Sequence, residues 1–252
     1  QNAEGYAPAG LLLGVRDDVE HEYRHLWEKQ QLQLRDFRDT RAELNARHPR
    51  RGRVLEIGSS LGLLLDQLRG DGWQTTGLEP WAEAAQFAQE KLGLDIVPAT
   101  LDNATFPDAS FDVVIMLHVI EHVGDPLTTL REIHRILRPG GTLVMETPRY
   151  DTLTHKVLKR RERSLSCEGH QYFFTVDSLR RTYQRAGFEE QRTRAVGRSL
   201  TLGRFFWNLG VMSKSPQVAS ALDVVSNRLQ LGRVPLYLNV RDMMRVTVRK
   251  SA

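Results

Sequence analysis

The sequence predicts an α/β protein. Its core is a doubly wound, Rossmann-like sheet of seven mostly parallel strands with helices on both faces, joined by an N-terminal helical lid and a late helical insert. Three observations carry this expectation. Strand-like and helix-like segments alternate from residue 53 onwards, as βαβ units require. The mostly apolar run Phe111 to Leu117 suits a central strand covered on both faces. A glycine-punctuated corner, Glu56-Ile57-Gly58-Ser59-Ser60-Leu61-Gly62, sits where the first strand gives way to the first helix, the edge at which open α/β sheets take ligands.

Taken in order, Val15 to His48 has a helical and strongly charged pattern, with apolar residues at Leu26, Leu32, Leu34, Phe37 and Leu44. Arg53 to Ile57 is a strand ending in glycine, Leu61 to Leu68 a helix, Gln74 to Glu79 the second strand, and Trp81 to Leu92 a helix. A short strand at Asp95 to Pro98 and the central strand Phe111 to Leu117 follow, then a helix Leu127 to Leu137 stopped by Pro139-Gly140-Gly141, and a strand Gly141 to Glu146. Asp177 is placed to cap a helix Ser178 to Ala186 that Gly187 ends, and Phe188 to Val196 is the next strand. An apolar-aromatic insert near Leu200 to Met212, a helix near Gln217 to Leu229 and a terminal strand Asp242 to Val248 close the chain. The domain reading is therefore a lid over 1–50, a core over 51–198, a helical insert or substrate cover over 199–240, and a final core strand over 241–252.

Composition excludes several classes. With 40% apolar and 26% charged residues in 252, the chain is an ordinary globular one whose core needs no covalent staples. Lone Cys167 rules out an internal disulfide framework. No apolar stretch approaches the roughly 20 residues that cross a bilayer, and Gln1 is not followed by an export-signal pattern, so a cytoplasmic home is the expectation. The net charge is +4, but Arg149 to Arg204 holds 13 basic and 6 acidic residues, a local +7 that would attract an acidic metabolite, nucleic acid or anionic lipid.

The glycine corner lacks the G-x-G-x-x-G spacing of dinucleotide sites, and Glu56, two residues before Gly58, would repel a phosphate while welcoming a cation. Glu79, at the end of the second strand, is placed to accept hydrogen bonds from ribose hydroxyls. Together they suggest a nucleoside that carries positive charge. Here the sequence resembles the class I S-adenosylmethionine-dependent methyltransferases. The matching pieces are Val54 to Gly62, Gly77-Leu78-Glu79-Pro80, Phe106 to Val114 and Leu137-Arg138-Pro139-Gly140-Gly141, spread over Arg51 to Gly187. Ser60 departs from the family, which often has glycine there. The resemblance implies that Glu56, Gly58 and Gly62 line the methionine part of S-adenosylmethionine, with Ser59 and Ser60 also binding the cofactor. It further implies that Glu79 holds the ribose with Pro80 and Trp81 following, that Thr100 and Leu101 flank the adenine, and that Leu117 and His118 close the pocket.

His118-Val119-Ile120-Glu121-His122 follows the central strand. If this segment is helical, residues 118, 121 and 122 share one face. The grouping can act as a general base, or coordinate a divalent metal when a fourth ligand arrives; His170, in Glu168 to Phe174, is the candidate. The arrangement is similar to two methyltransferase groups in which Glu-x-x-Glu-His and a distant His hold a cation beside the acceptor hydroxyls, the ubiquinone-pathway O-methyltransferases and the small-RNA 3′-terminal 2′-O-methyltransferases. His118 replaces the first Glu, and the nitrogen-rich set favours zinc, iron or manganese over magnesium. The resulting expectation is O-methylation of a small hydroxylated acceptor (a phenol, sugar or lipid-linked molecule), with His118, Glu121, His122 and His170 as the catalytic residues. RNA 2′-O-methylation and a non-catalytic nucleotide-binding module are the alternatives. The basic stretch His155 to Arg163 and the aromatic cluster Phe205-Phe206-Trp207 read either as a membrane-surface or substrate contact, or as solvated charge and packed aromatics.

Overall fold

The computed structural model describes residues 37–152, 169–213 and 215–251. A seven-stranded sheet with strand order β3-β2-β1-β4-β5-β7-β6 forms its frame. The strands are β1 (Arg53–Ile57), β2 (Gln74–Leu78), β3 (Ile96–Val97), β4 (Phe111–Leu117), β5 (Leu137–Pro148), β6 (Phe188–Thr201) and β7 (Pro235–Lys250). β1 to β5 are parallel, and β7 runs antiparallel to β5. The chain order reverses between β1 and β4, so the crevice beyond their carboxyl ends is the switch point where such sheets bind ligands.

The helices are α1 (residues 37–47), α2 (Leu63–Gly70), α3 (Ala82–Leu92), α4 (Pro126–Ile136), α5 (Val176–Arg185), α6 (Leu202–Ser213) and α7 (Pro216–Arg228). Val54 and Leu55 of β1 and Val113 to Met116 of β4 are fully excluded from water, as strands sandwiched between helix layers must be. Gly77 lets α2 close on β2: a Cβ there would stand 2.8 Å from Leu65 and 2.4 Å from Ile96.

Several sequence expectations change. Pro139-Gly140-Gly141 does not separate α4 from a later strand. The pairing of β5 with β4 starts at Leu137 and resumes at Thr142 after a register shift, with Gly140 at φ 75° supplying the irregularity. The α5 cap is Thr175, not Asp177: Ser178 N donates to Thr175 Oγ1, Thr175 N donates back to Ser178 Oγ, and Asp177 pairs with Arg180 in the first turn. β6 and β7 are both longer than the alternating pattern suggested, and α2 begins at Leu63, after Gly62 has turned left-handed at φ 79°.

The chain divides into two compact units. The larger holds Asp39–Val196 with Arg241–Ala252; the other holds Gly197–Val240 and, of the described residues near the amino end, Phe37 and Arg38. In the larger unit, α1 is fastened where β2 starts: Arg41 and Asn45 both donate to Asp71, and Trp73 Nε1 donates to Asn45. That edge is opposite Gly58, and the part of the expected 1–50 lid before residue 37 lies outside the described residues. In the other unit α6 packs on α7 through small residues, Gly210 against Ala219 and Gly203 against Ser226.

Candidate active site

The glycine corner is built by backbone constraints. Gly58 N and Ser59 N both donate to Leu78 O, which ties the turn to the end of β2. Gly58 has φ 75°, and a Cβ on it would lie 2.5 Å from Val119 Cγ2, so the first glycine makes the turn and also admits the loop after β4. Ser60 takes φ 49°, the left-handed conformation that glycine adopts freely, so the departure at this position leaves the local loop shape intact. Gly62 is left bare by its neighbours at the end of α3: a Cβ there would lie 2.5 Å from Leu94 Cδ1 and 3.3 Å from Ala88 Cβ.

Two carboxylates face this corner. Glu79 Oε2 accepts from Ser60 N at 2.7 Å and Oε1 accepts from Trp81 N at 3.0 Å, so the side chain is locked across the turn with lone pairs to spare for hydroxyl donors. Glu56 is 5% exposed, and its Oε2 has no hydrogen-bond partner, nor has the buried Ser59 Oγ nearby in sequence. Burial holds the Glu56 carboxyl well above the usual carboxylate range, with the charge of Glu79 adding to the effect. A buried carboxylate oxygen without a partner, beside a second carboxylate with lone pairs to spare, is an acceptor set that a cationic, hydroxyl-bearing nucleoside completes, so these residues fit S-adenosylmethionine. Pro80 and Thr100 are exposed, Trp81 is half-buried at the start of α3, Leu117 is half-buried at the end of β4, and Leu101 is buried in the main core.

The loop after β4 is not a helix. His118 takes φ 59°, and the chain then makes a tight turn in which His122 N donates to Val119 O. The expected one-face array of 118, 121 and 122 is therefore replaced by a turn that splits them. Three bonds staple this turn to the segment before α5: Gln171 N and Tyr172 N both donate to Glu121 O, and Tyr172 Oη donates to Gly124 O. The staples bring the side chains of Glu121, His122 and His170 together, with ligand atoms within 4.8 Å of one another. Glu121 is 1% exposed; its Oε2 accepts from Thr147 Oγ1, and its Oε1 has no hydrogen-bond partner. His122 Nδ1 lies 2.9 Å from Gly169 O; with Nδ1–H donating to that carbonyl, Nε2 is the ring's acceptor nitrogen.

His118 stands apart from that trio. Its Nδ1 is 3.9 Å from Glu121 Oε1, and its Nε2 is 3.6 Å from Glu146 Oε1. Glu146 is gripped in turn at its other oxygen by Arg245 of β7, through Nε at 2.8 Å and a second nitrogen at 2.7 Å, both residues being buried. Val119, Glu146 and Arg245 escaped the sequence reading. A glutamate that ends a strand buried on both faces was the signal available for Glu146, whereas nothing local to Arg245 says that β7 lies beside β5.

Comparison with known proteins places this geometry in a family. A family model described as a methyltransferase domain matches residues 26–192, about two thirds of the chain. Among curated relatives, the tRNA U34 carboxymethyltransferase of Syntrophotalea carbinolica is 31% identical over 156 residues, covering 59% of this chain and 48% of that protein. The ubiquinone biosynthesis O-methyltransferase of Hahella chejuensis is 31% identical over 136 residues, covering 52% and 55%. The chain thus spans about half the length of the curated relatives it matches. A SAM-dependent methyltransferase from Archaeoglobus fulgidus superposes with a TM-score of 0.55 at 19% identity, over 90% of this chain and all of that one. The [4+2]-cyclase SpnF superposes with a TM-score of 0.55 at 18% identity, over 85% and 80%. These last two likenesses speak to the fold alone.

Proposed function

Because the chain belongs to the class I S-adenosylmethionine-dependent methyltransferases, we propose that it transfers a methyl group to a hydroxyl of a small acceptor, with His118 as general base and Glu121, His122 and His170 as a divalent-cation site. The single observation that carries the reading is the cluster at the carboxyl edge of β4: a buried carboxylate oxygen without a partner and two imidazoles, one turn away from a third imidazole.

When bound, the cofactor supplies a sulfonium-activated methyl group, an electrophile that needs no further activation. The protein has to align an oxygen with that methyl, keep water out and take the oxygen's proton. Glu56 and Glu79 hold the cofactor by charge and by ribose hydrogen bonds. Val119, against Gly58, joins the cofactor corner directly to the loop that carries the histidines. His118 is 44% exposed at its side chain, so an acceptor can reach it, and a carboxylate faces each ring nitrogen. One nitrogen takes the hydroxyl proton while the carboxylate across the ring keeps it oriented. At 3.6 and 3.9 Å neither contact is yet a hydrogen bond, so the orienting carboxylate would have to move closer to the ring in the reacting complex.

One carboxylate and two imidazoles are the ligand set of many substrate-binding metal sites. A cation there would be held by Glu121, His122 and His170, and would supply acidification of a coordinated hydroxyl. The relatives named for tRNA carboxymethyl transfer make an RNA acceptor the second reading.

The test is transfer from labelled S-adenosylmethionine to panels of phenols, sugars, lipid extracts and tRNA, with and without chelator. His118→Ala is expected to lower turnover by about 10²- to 10⁴-fold while S-adenosylhomocysteine binding stays unchanged. Manganese alone, followed by paramagnetic resonance, is expected to bind the native protein and not the His122→Ala, His170→Ala double variant. Full turnover in His118→Ala sinks the base, and equal manganese binding in the double variant sinks the cation site.

A further inference from the structure

Large apolar residues left open to solvent are not spread over this molecule. Among the described residues nine are exposed, and eight of them, Trp207 to Val240, belong to the unit formed by α6, α7 and their flanks. Those eight residues lie beyond residue 192, where the family match ends.

The exposed residues follow helical spacing. On α7, Val218, Val225 and Leu229 are seven and four residues apart and form one stripe, 43%, 43% and 61% exposed. Val224 and Arg228, four apart, form the adjoining flank. About a quarter turn round from that stripe α7 is already used, since Ala219 meets Gly210 of α6 and Ser226 meets Gly203. On α6, Trp207 is 44% exposed with the Arg204 guanidinium 4.0 Å above its ring.

Charge decides what such a face meets. Residues 197–240 hold Arg198, Arg204, Lys214, Arg228 and Arg233 against Asp223 alone, a local +4 that equals the net charge of the whole chain. A second copy of the chain would set +4 against +4, which like-charge repulsion opposes. An anionic surface meets both features at once. At 12 and 13 residues, the two helices are too short to cross a bilayer and of a length to lie in its headgroup plane. A tryptophan carrying a stacked arginine is an interfacial pair, ring toward the acyl chains and charge toward the phosphates.

We propose that the α6–α7 hairpin is a contact for anionic lipid membranes, with the Val218, Val225 and Leu229 stripe as its apolar face and Trp207, under Arg204, as a further anchor. The test is flotation of the whole chain with vesicles of phosphatidylcholine alone and of phosphatidylcholine mixed with phosphatidylglycerol. Binding is expected to the mixed vesicles and not to the neutral ones, to fall by about fivefold for each of Arg204→Ala and Arg228→Ala, and to be lost in about 1 M salt. The Val225→Asp, Leu229→Asp double variant should stay unbound while its melting temperature and S-adenosylhomocysteine binding match the parent. Absence of the parent from floated mixed vesicles, or equal flotation of the double variant, overturns the proposal. So does a dimer in lipid-free solution that the double variant abolishes, because the stripe is then an interface between copies.

Discussion

At the scale of single residues, the cofactor corner depends on two unusual positions with opposite tolerance. Gly58 has neither the conformational room nor the space for a side chain, with φ at 75° and Val119 Cγ2 2.5 Å from where a Cβ would sit. Ser60 already carries a Cβ in the left-handed region, at a cost of about 1–2 kcal/mol that glycine would remove. Glycine would return about 0.5–1 kcal/mol of that through the freedom of its unfolded chain. Calorimetry with S-adenosylhomocysteine is expected to show at least a tenfold loss for Gly58→Ala and near-parent affinity for Ser60→Gly. Glu56 supplies a pH-dependent prediction. Its carboxyl is raised above 4.5 by burial and by Glu79, so as pH climbs from about 4.5 the unfolded chain ionises first and the ligand-free fold loses stability. A cationic ligand favours the ionised form, so affinity for S-adenosylmethionine should rise with pH through the same window. Glu56→Gln is expected to raise the ligand-free melting temperature near pH 8 and to weaken S-adenosylmethionine binding about 10- to 100-fold; a variant with parent affinity would show that Glu56 does not hold the cofactor's charge. Gly58 and Glu56 stood out in the sequence because a glycine turn and a strand-end acid are local signals. The packing of Val119 against Gly58 did not, since it depends on where the loop after β4 falls.

At the scale of elements, the histidine cluster depends on two loops being held in register. The sequence marks His118, Glu121, His122 and His170 as a constellation, yet it places three of them on a helix that does not form. A left-handed His118 replaces the helix, and main-chain bonds from Gln171 and Tyr172 to Glu121 O do the gathering that helical spacing was expected to do. Backbone pairing between segments about 50 residues apart leaves no periodic signal. The same holds for the α5 cap, where Asp177 and Thr175 are both good capping residues and only the observed bonds choose Thr175. Because α5 starts directly after the stapled segment, its cap has a functional consequence. Thr175→Ala is expected to cost about 1 kcal/mol in urea unfolding, and to weaken manganese binding at Glu121, His122 and His170 as the 169–174 segment loosens. A variant that loses stability but binds manganese as the parent does would separate the cap from the cluster.

At the scale of the whole molecule, the order of the strands brings the last part of the chain to the site. β7 runs antiparallel beside β5, with Arg245 opposite Glu146, and this pairing sets a buried guanidinium on the carboxylate that faces His118. The seven strands and the switch-point crevice were readable from alternation alone, because parallel strands with crossover helices admit few arrangements. The ion pair was not readable, because it joins residues 99 positions apart. Its energetics separate structure from catalysis. Removing one partner leaves the other charge buried, so Arg245→Met is expected to destabilise the fold by about 3–5 kcal/mol. Replacing both, as Glu146→Leu with Arg245→Met, restores an apolar contact and should recover most of that loss. If Glu146 serves only the fold, activity returns with stability in the double variant. If it also orients His118, turnover stays low, S-adenosylhomocysteine binding is normal, and the nitrogen resonances of the His118 ring differ from those of the parent in the folded double variant. Recovery of both stability and turnover would confine Glu146 to a structural part and leave Glu121 as the carboxylate that orients the base.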